Sequence, residues 1–256
     1  MTPKIYLINL ARSPDRLGFM ERQLTRMGLA FERIEAVDGK DLTAELISKL
    51  AVPERVEEWK FLLTPNAIGC ALAHRSAYQM FLKDGGETAI IMEDDVELLD
   101  GFKDAAAACA NHLPTDAVAL LYFHGGRHKF SSRGSISLGD GRSLHEALTA
   151  WGAYTAGAYL LSRTTAQRIA GFNFPVYTTA DSWGVFRRDG PIVSLWAVLP
   201  PITAPAHFSS DIGYSWKSRL GRTIERIAGR KTSVAMRRIT GSEVQLQYEI
   251  LDEATE

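Results

Sequence analysis

The stretch AIIMEDDVELL, residues 89–99, carries four apolar residues straight into three consecutive acids, Glu93, Asp94 and Asp95. Side chains alternate along extended backbone, so Glu93 and Asp95 face one way and Asp94 the other. Two carboxylates aimed at one target leave room for a divalent cation. Without it they repel, and at least one pKa must rise. Their hard oxygens suit Mg²⁺ or Mn²⁺, which one or two carboxylates hold together with phosphate oxygens. The plainer alternative is a solvated loop whose acids help to start a helix near residue 100.

Such a cluster needs elements to position it. Residues 4–10 read as a strand, and Ser13 with Pro14 opens a helix that Gly28 stops. Residues 31–39 form a second strand running into an Asp-Gly turn, and Asn66 caps a helix through Phe81. Further strands fall at 88–92, 117–123, 155–162 and 192–199, with helices over 100–113 and from 163 to Ala170. The alternation predicts an α/β fold with a mostly parallel sheet flanked by helices, and ligands there collect beyond the carboxyl ends of the strands. The Gly- and Ser-rich segment 124–141 reads as irregular. Its HGGRH lacks the helical framework of a zinc pair, so His124 and His128 belong to a loop that could close over a ligand.

Length and composition bound the rest. A chain of 256 residues, 46% hydrophobic and 23% charged, predicts one large soluble domain or one with a small appendage. A net charge of −1 gives no global pull toward nucleic acid, and none is expected as a partner. Two cysteines, Cys70 and Cys109, make no disulfide framework, and the N-terminus lacks a signal-peptide core. A cytoplasmic location follows as an expectation. Residues 217–238 carry eight Lys or Arg against one acid. That tail, with Leu220, Ile224 and Ile227 at helical spacing, could rest on an anionic membrane or be an ordinary solvated helix.

Five segments in order, INLARSPDR, FERIEAVDG, IGCALAHRSAY, IIMEDDV and TAGAYLLSRTTAQRI, resemble glycosyltransferase family 25 from about Lys4 to Gly213. The resemblance implies a GT-A type nucleotide-sugar domain over residues 1–213, followed by a basic helical tail at 214–256. It also implies an acid–any–acid metal site for Mn²⁺ or Mg²⁺, a UDP-sugar donor and inversion at the sugar carbon. The acceptor it implies is a hydroxyl of lipooligosaccharide or another cell-surface glycan, with galactose the first choice of hexose. Bacterial lipooligosaccharide galactosyltransferases and collagen-modifying catalytic domains belong to that family.

On this resemblance Asp95 is the first choice for direct metal ligation, with Glu93 on the metal's water shell or the ribose, and Asp94 orienting the donor sugar or a neighbouring side chain. Arg12 and Arg16 flank a helix start, where guanidinium groups and backbone N–H groups favour anions. Asn9 could pair with uracil or hold the turn, and Asp38 could accept from ribose hydroxyls or simply form the turn before Gly39. His74 could touch a phosphate or position the acids. Asp181 occupies the place of an acid that follows the GAYLLS helix, and is the candidate base for the acceptor hydroxyl, or else caps a short helix. Trp183 offers a surface for a sugar ring, and Trp151 and Tyr154 could line the same acceptor cleft. His207 could supply a third metal ligand, although the family more often has glutamine nearby. Two rivals use the same residues: a metal-dependent nucleotidyltransferase or phosphodiesterase, although no Walker motif is present, and a non-catalytic module binding glycan or nucleic acid.

Overall fold

The structure is a computed structural model that describes residues 2–123, 127–206, 208 and 247–251. His207 and the basic tail at 217–238 lie outside the described residues, as does His124. In chain order the elements begin with β1 (Lys4–Asn9), α1 (Pro14–Arg26), β2 (Phe31–Glu35) and a 3₁₀ turn at Gly39–Asp41. They continue with α2 (Ala44–Leu50), α3 (Pro53–Glu58), α4 (Pro65–Asp84), β3 (Thr88–Glu93), β4 (Val96–Leu98) and α5 (Phe102–His112). After β5 (Ala117–Leu120) come three strands: β6 (Arg127–Ser131), β7 (Ile136–Gly139) and β8 (Arg142–Glu146). The last elements are β9 (Ala158–Ser162), α6 (Arg163–Phe172), α7 (Trp183–Arg188), β10 (Ser194–Leu199), β11 (Thr203–Pro205) and β12 (Gln247–Leu251).

Eight strands form one sheet in the order β2-β1-β3-β9-β5-β10-β8-β7. The sheet is mixed, not mostly parallel. The pairs β1–β2, β1–β3 and β5–β10 are parallel, whereas β9 runs against both β3 and β5, and β8 against β10 and β7. The physical reason is that a fully buried strand reads as a continuous apolar run in either direction. AYLLS therefore carried no sign of its reversal.

Residues of β1 alternate between the two sides. Tyr6 and Ile8 join a core with Ala73, Ala77 and Phe81 of α4, Ile169 of α6 and Phe186 of α7. Ile5 and Leu7 join the opposite core, with Met20 and Leu24 of α1 and Phe102 and Cys109 of α5. Helices thus cover both faces, and the flanked α/β layering is as the sequence implies.

Three local readings change. Thr64 caps α4 by accepting from Ala67 N, with Pro65 at the first position, so Asn66 lies inside the helix and is not its cap. The segment 124–141 contains strand. Asp140 and Gly141, both at positive φ, make a two-residue turn between Gly139 and Arg142, the geometry that an Asp-Gly pair favours. His128 sits on β6, buried against Phe123, not on an open loop.

Candidate active site

The carboxyl ends of β1 and β3 and the start of β9 converge, because β3 pairs with both neighbours and Glu93 N donates to Gly157 O at 2.8 Å. Asp94 and Asp95 do not open a loop toward α5. They form the turn between β3 and β4, and β4 pairs with β11, whose continuation returns Ala206 N to Asp95 O at 2.7 Å. Gln23 of α1 fixes the far side of the turn: its amide nitrogen donates to Val96 O and its oxygen accepts from Leu98 N.

Each acid meets a different environment. Asp94 is buried and accepts from Asn9 Nδ2 at 2.6 Å and from Arg16 Nη1 at 3.0 Å. Burial pushes its pKa up, and those two partners oppose the rise. Glu93 Oε1 accepts from Cys70 Sγ at 3.7 Å and lies 3.0 Å from His74 Nε2. Burial opposes its charge, yet His74, Cys70 and Arg16 hold its pKa below the ordinary value. Among the described residues, Asp95 meets Arg16 Nη1 at the longer distance of 3.5 Å. Burial first, and then the charge of Glu93, push Asp95 up to about 7. A dication between Glu93 and Asp95 would reverse that shift, so the donor set fits Mg²⁺ or Mn²⁺ in its oxygens and in its excess of negative charge.

Two cavities meet at these acids. The smaller is lined by Arg12, Arg16, Val37, Asp38, Gly39 and Asn66, and a larger one of about 670 Å³ by Trp151, Tyr154, Thr179 and Asp181 among others. Cys70, Glu93 and Asp95 line both, while Asp94 faces only the smaller. The alternation along the acidic stretch survives the turn. The smaller cavity owes its wall to a close approach: a Cβ on Gly39 would lie 2.4 Å from backbone atoms of Asn66, and one on Gly69 would lie 2.6 Å from Val37 O.

Several expected contacts are redirected. Asn9 is buried and holds the turn, donating to Ser13 O and Asp94 while accepting from Arg33, so both of its amide hydrogens are committed there. His74 is sealed in the core and cannot reach a phosphate; it positions Glu93 instead. Asp38 caps the 3₁₀ turn through Lys40 N and accepts from Arg12 Nε at 2.5 Å, contacts that draw its pKa down while it still faces the cavity. Arg16 is not a solvated arginine, since it spans Asp94 and Asp95.

On the larger cavity, Asp181 precedes α7, but Ser182 is the residue at the cap position. Asp181 accepts from Thr179 Oγ1 at 2.7 Å, and burial, with the charge of Glu93, raises its pKa. Trp183 is fully buried: its indole donates to Thr155 O at 2.8 Å and packs on Tyr159 and Phe186. It cannot carry a sugar, because its faces are occupied in the core. Trp151, 50% exposed, and Tyr154, 60% exposed, do present rings to the cavity. Trp151 lies flush on the backbone of α7, where a Cβ on Gly184 would come within 2.4 Å of its indole.

The residues the sequence did not single out are Cys70, Tyr78, Tyr159 and Thr179. His74 Nδ1 lies 2.8 Å from Tyr159 Oη, which is 2.5 Å from Tyr78 Oη, so a buried chain backs Glu93. Cys70 and His74 are four residues apart on one helix, a spacing that places both on the same face. That signal was available in IGCALAH.

The fold and site define an α/β protein with a carboxylate-centred cleft. The family model for "Glycosyltransferase family 25 (LPS biosynthesis protein)" matches residues 2–182, and the chain belongs to that family. A Drosophila melanogaster glycosyltransferase 25 family member is 29% identical over 58% of this chain and 25% of its own length. Human procollagen galactosyltransferase 2 is 27% identical over 82% of this chain and 36% of its own. A rat protein named probable inactive glycosyltransferase 25 family member 3 is 25% identical over 65% of this chain and 29% of its own. The chain therefore spans between a quarter and just over a third of the length of these relatives.

Proposed function

We propose that this chain transfers a hexose, galactose before others, from a UDP-sugar to a hydroxyl of a cell-surface glycan such as lipooligosaccharide, with inversion, on a GT-A type framework. Family membership supports the class, and the name of the human relative supports galactose. The observation that carries the reading is the placement of Glu93 and Asp95 where the two cavities meet, with Asp95 pushed up to about 7 by burial and then by the charge of Glu93.

In this scheme the smaller cavity takes the nucleotide and the larger one the acceptor. Asp95 and Glu93 would hold Mn²⁺ or Mg²⁺. When bound, the ion supplies Lewis-acid stabilisation of the diphosphate leaving group. Arg12 adds positive charge at the rim of the nucleotide cavity. Asp94 takes no part in the chemistry; with Asn9 and Arg16 it fixes the turn that aims Asp95. Asp181 takes the proton from the acceptor hydroxyl. Its raised pKa makes it a stronger proton acceptor than an ordinary carboxylate. Trp151 and Tyr154 give the acceptor sugar apolar faces.

A panel of UDP-sugars, incubated with and without Mn²⁺ and a lipooligosaccharide or hydroxylysine-peptide acceptor, tests the reading. Metal-dependent UDP release with matching mass gain on the acceptor is expected. Release of pyrophosphate or a nucleoside monophosphate would replace it with the nucleotidyltransferase or phosphodiesterase reading. No turnover with any donor would place the chain with the relatives named inactive.

A further inference from the structure

One side of the cleft carries a donor set of a different kind from the hard carboxylates. Cys70 Sγ, His74 Nε2 and a Glu93 oxygen lie within 4.8 Å of one another, and this is the group of at least three such ligand atoms found among the described residues. Two of the separations are 3.7 Å for sulfur to Glu93 Oε1 and 3.0 Å for His74 Nε2 to the same oxygen. Around a tetrahedral zinc, with Zn–S about 2.3 Å and Zn–N or Zn–O about 2.0–2.1 Å, ligand atoms stand about 3.3–3.6 Å apart. The two separations to Glu93 Oε1 differ from those edges by only a few tenths of an ångström, and the third pair, sulfur to His74 Nε2, closes the triangle within 4.8 Å.

The backing is equally specific. Cys70 and His74 project from one face of α4, a continuous helix, so their spacing is set by regular backbone. His74 Nδ1 is held at 2.8 Å by Tyr159 Oη, and Tyr159 by Tyr78. A metal-bound imidazole needs such a partner on its other nitrogen, to fix the ring and its tautomer. Cys70 and Glu93 both line the cleft, so an ion has an entry path and the fourth position opens toward it.

We infer that Cys70, His74 and Glu93 form a site for a thiophilic divalent cation, Zn²⁺ first, separate from the pair of hard carboxylates but sharing Glu93 with it. Binding forms Zn–S, Zn–N and Zn–O bonds and expels the Cys70 thiol proton to solvent. The imidazole carries its remaining proton on Nδ1 and donates it to Tyr159 Oη, which in turn donates to Tyr78. The bound state is balanced: one thiolate, one carboxylate and one neutral imidazole offset a dication. The ligand is the thiolate, so binding releases a proton and affinity rises with pH. Because Glu93 serves both sites, zinc withdraws a ligand from the hard-metal site and inhibits transfer as it fills.

The test is a titration of the full chain, stripped with chelator, with Co²⁺ as the spectroscopic stand-in for Zn²⁺. One near-ultraviolet thiolate-to-cobalt charge-transfer band per chain is expected, reversed by Zn²⁺ and lost in Cys70→Ser. Cys109, on the opposite side of the sheet, contributes none of it. Tyr159→Phe keeps all three ligands and should weaken Co²⁺ binding by about 10–100-fold, the usual effect of losing an outer-shell partner. No band in the unaltered protein, or an unchanged band in folded Cys70→Ser, overturns the site. No donor or acceptor is present in these titrations, so their failure leaves the transferase reading untouched. Loss of turnover in Asp95→Asn, conversely, leaves the cobalt band in place.

Discussion

Replacing Asp95 by asparagine should make the metal-free protein more stable while removing its proposed activity. Asp95 rises from an ordinary 3.8 to about 7, because burial and Glu93 disfavour its charge. At about 1.4 kcal/mol per pH unit, that corresponds to about 4 kcal/mol of destabilisation when the group is ionised in the fold. Its side chain is about a third exposed, at 32%, and solvent screening brings the figure nearer about 2 kcal/mol. The sign follows from the raised value. The native state holds the proton more tightly than the unfolded chain, so this stability is fully present below about pH 4 and gone above about pH 7. In EDTA at pH 8, Asp95→Asn should therefore melt about 4–8 °C above the unaltered protein, at roughly 2–4 °C per kcal/mol for a chain of this size. The gap should close as pH falls through 7 to 4. Mn²⁺ should raise the melting temperature of the unaltered protein at pH 8 but not that of the variant, since only the native site binds it. Differential scanning fluorimetry across pH, with EDTA and with Mn²⁺, reads all of this. If the variant is no more stable than its parent in EDTA at pH 8, the acids are not crowded as described and the metal argument fails.

Asp181→Asn should lower turnover by about 10²–10⁴, the usual loss for a general base, while calorimetry finds UDP affinity preserved. Loss of UDP binding would remove Asp181 from the acceptor side. Gly184→Val places carbon where the Trp151 indole lies, 2.4 Å from a Cβ, so the ring must swing away. The acceptor KM should rise severalfold with the donor KM unchanged; an effect on the donor instead would mean that the larger cavity is not the acceptor's. Trp183→Phe leaves Thr155 O without its donor and should cost about 1–3 kcal/mol in urea unfolding. Acceptor KM should stay near its original value. A large rise would show that the indole reaches the cleft after all.

The parts of the fold that could be read from the chain are those with strong local punctuation. The apolar runs IYLI within KIYLIN and AIIM within TAIIME are buried on both faces, and Pro14 and Gly28 bracket α1. Strand direction was not legible, because nothing in AYLLS distinguishes a parallel crossover from a return strand. The β7–β8 hairpin carried its Asp-Gly signal, but the surrounding glycines and serines outweighed the short alternating runs. The cap of α4 turned on Pro65: proline at the first helical position makes Thr64 the cap, and Asn66 only resembled one. Trp183 failed for another reason. An indole next to a candidate acid can face a ligand or the core, and only the packing of β9 against α7 decides that it meets Tyr159.

The acidic cluster was legible as a problem and not as a solution, since its partners lie far away along the chain. Asp94 is met from β1 and α1 by Asn9 and Arg16, and Glu93 from α4 by His74 and Cys70. The protein itself compensates two of the three negative charges, each with dedicated side chains on regular elements. Among the described residues, Asp95 receives just the far reach of an arginine already committed to Asp94. A fold that required three acids merely to make a turn would have no reason to pair two so fully and leave the third exposed to repulsion at the junction of two cavities. The imbalance is what a site for an external cation requires. It also explains why alternation along the stretch mattered: Asp94, turned from the larger cavity and held by Asn9 and Arg16, is the acid that the scaffold can use for itself.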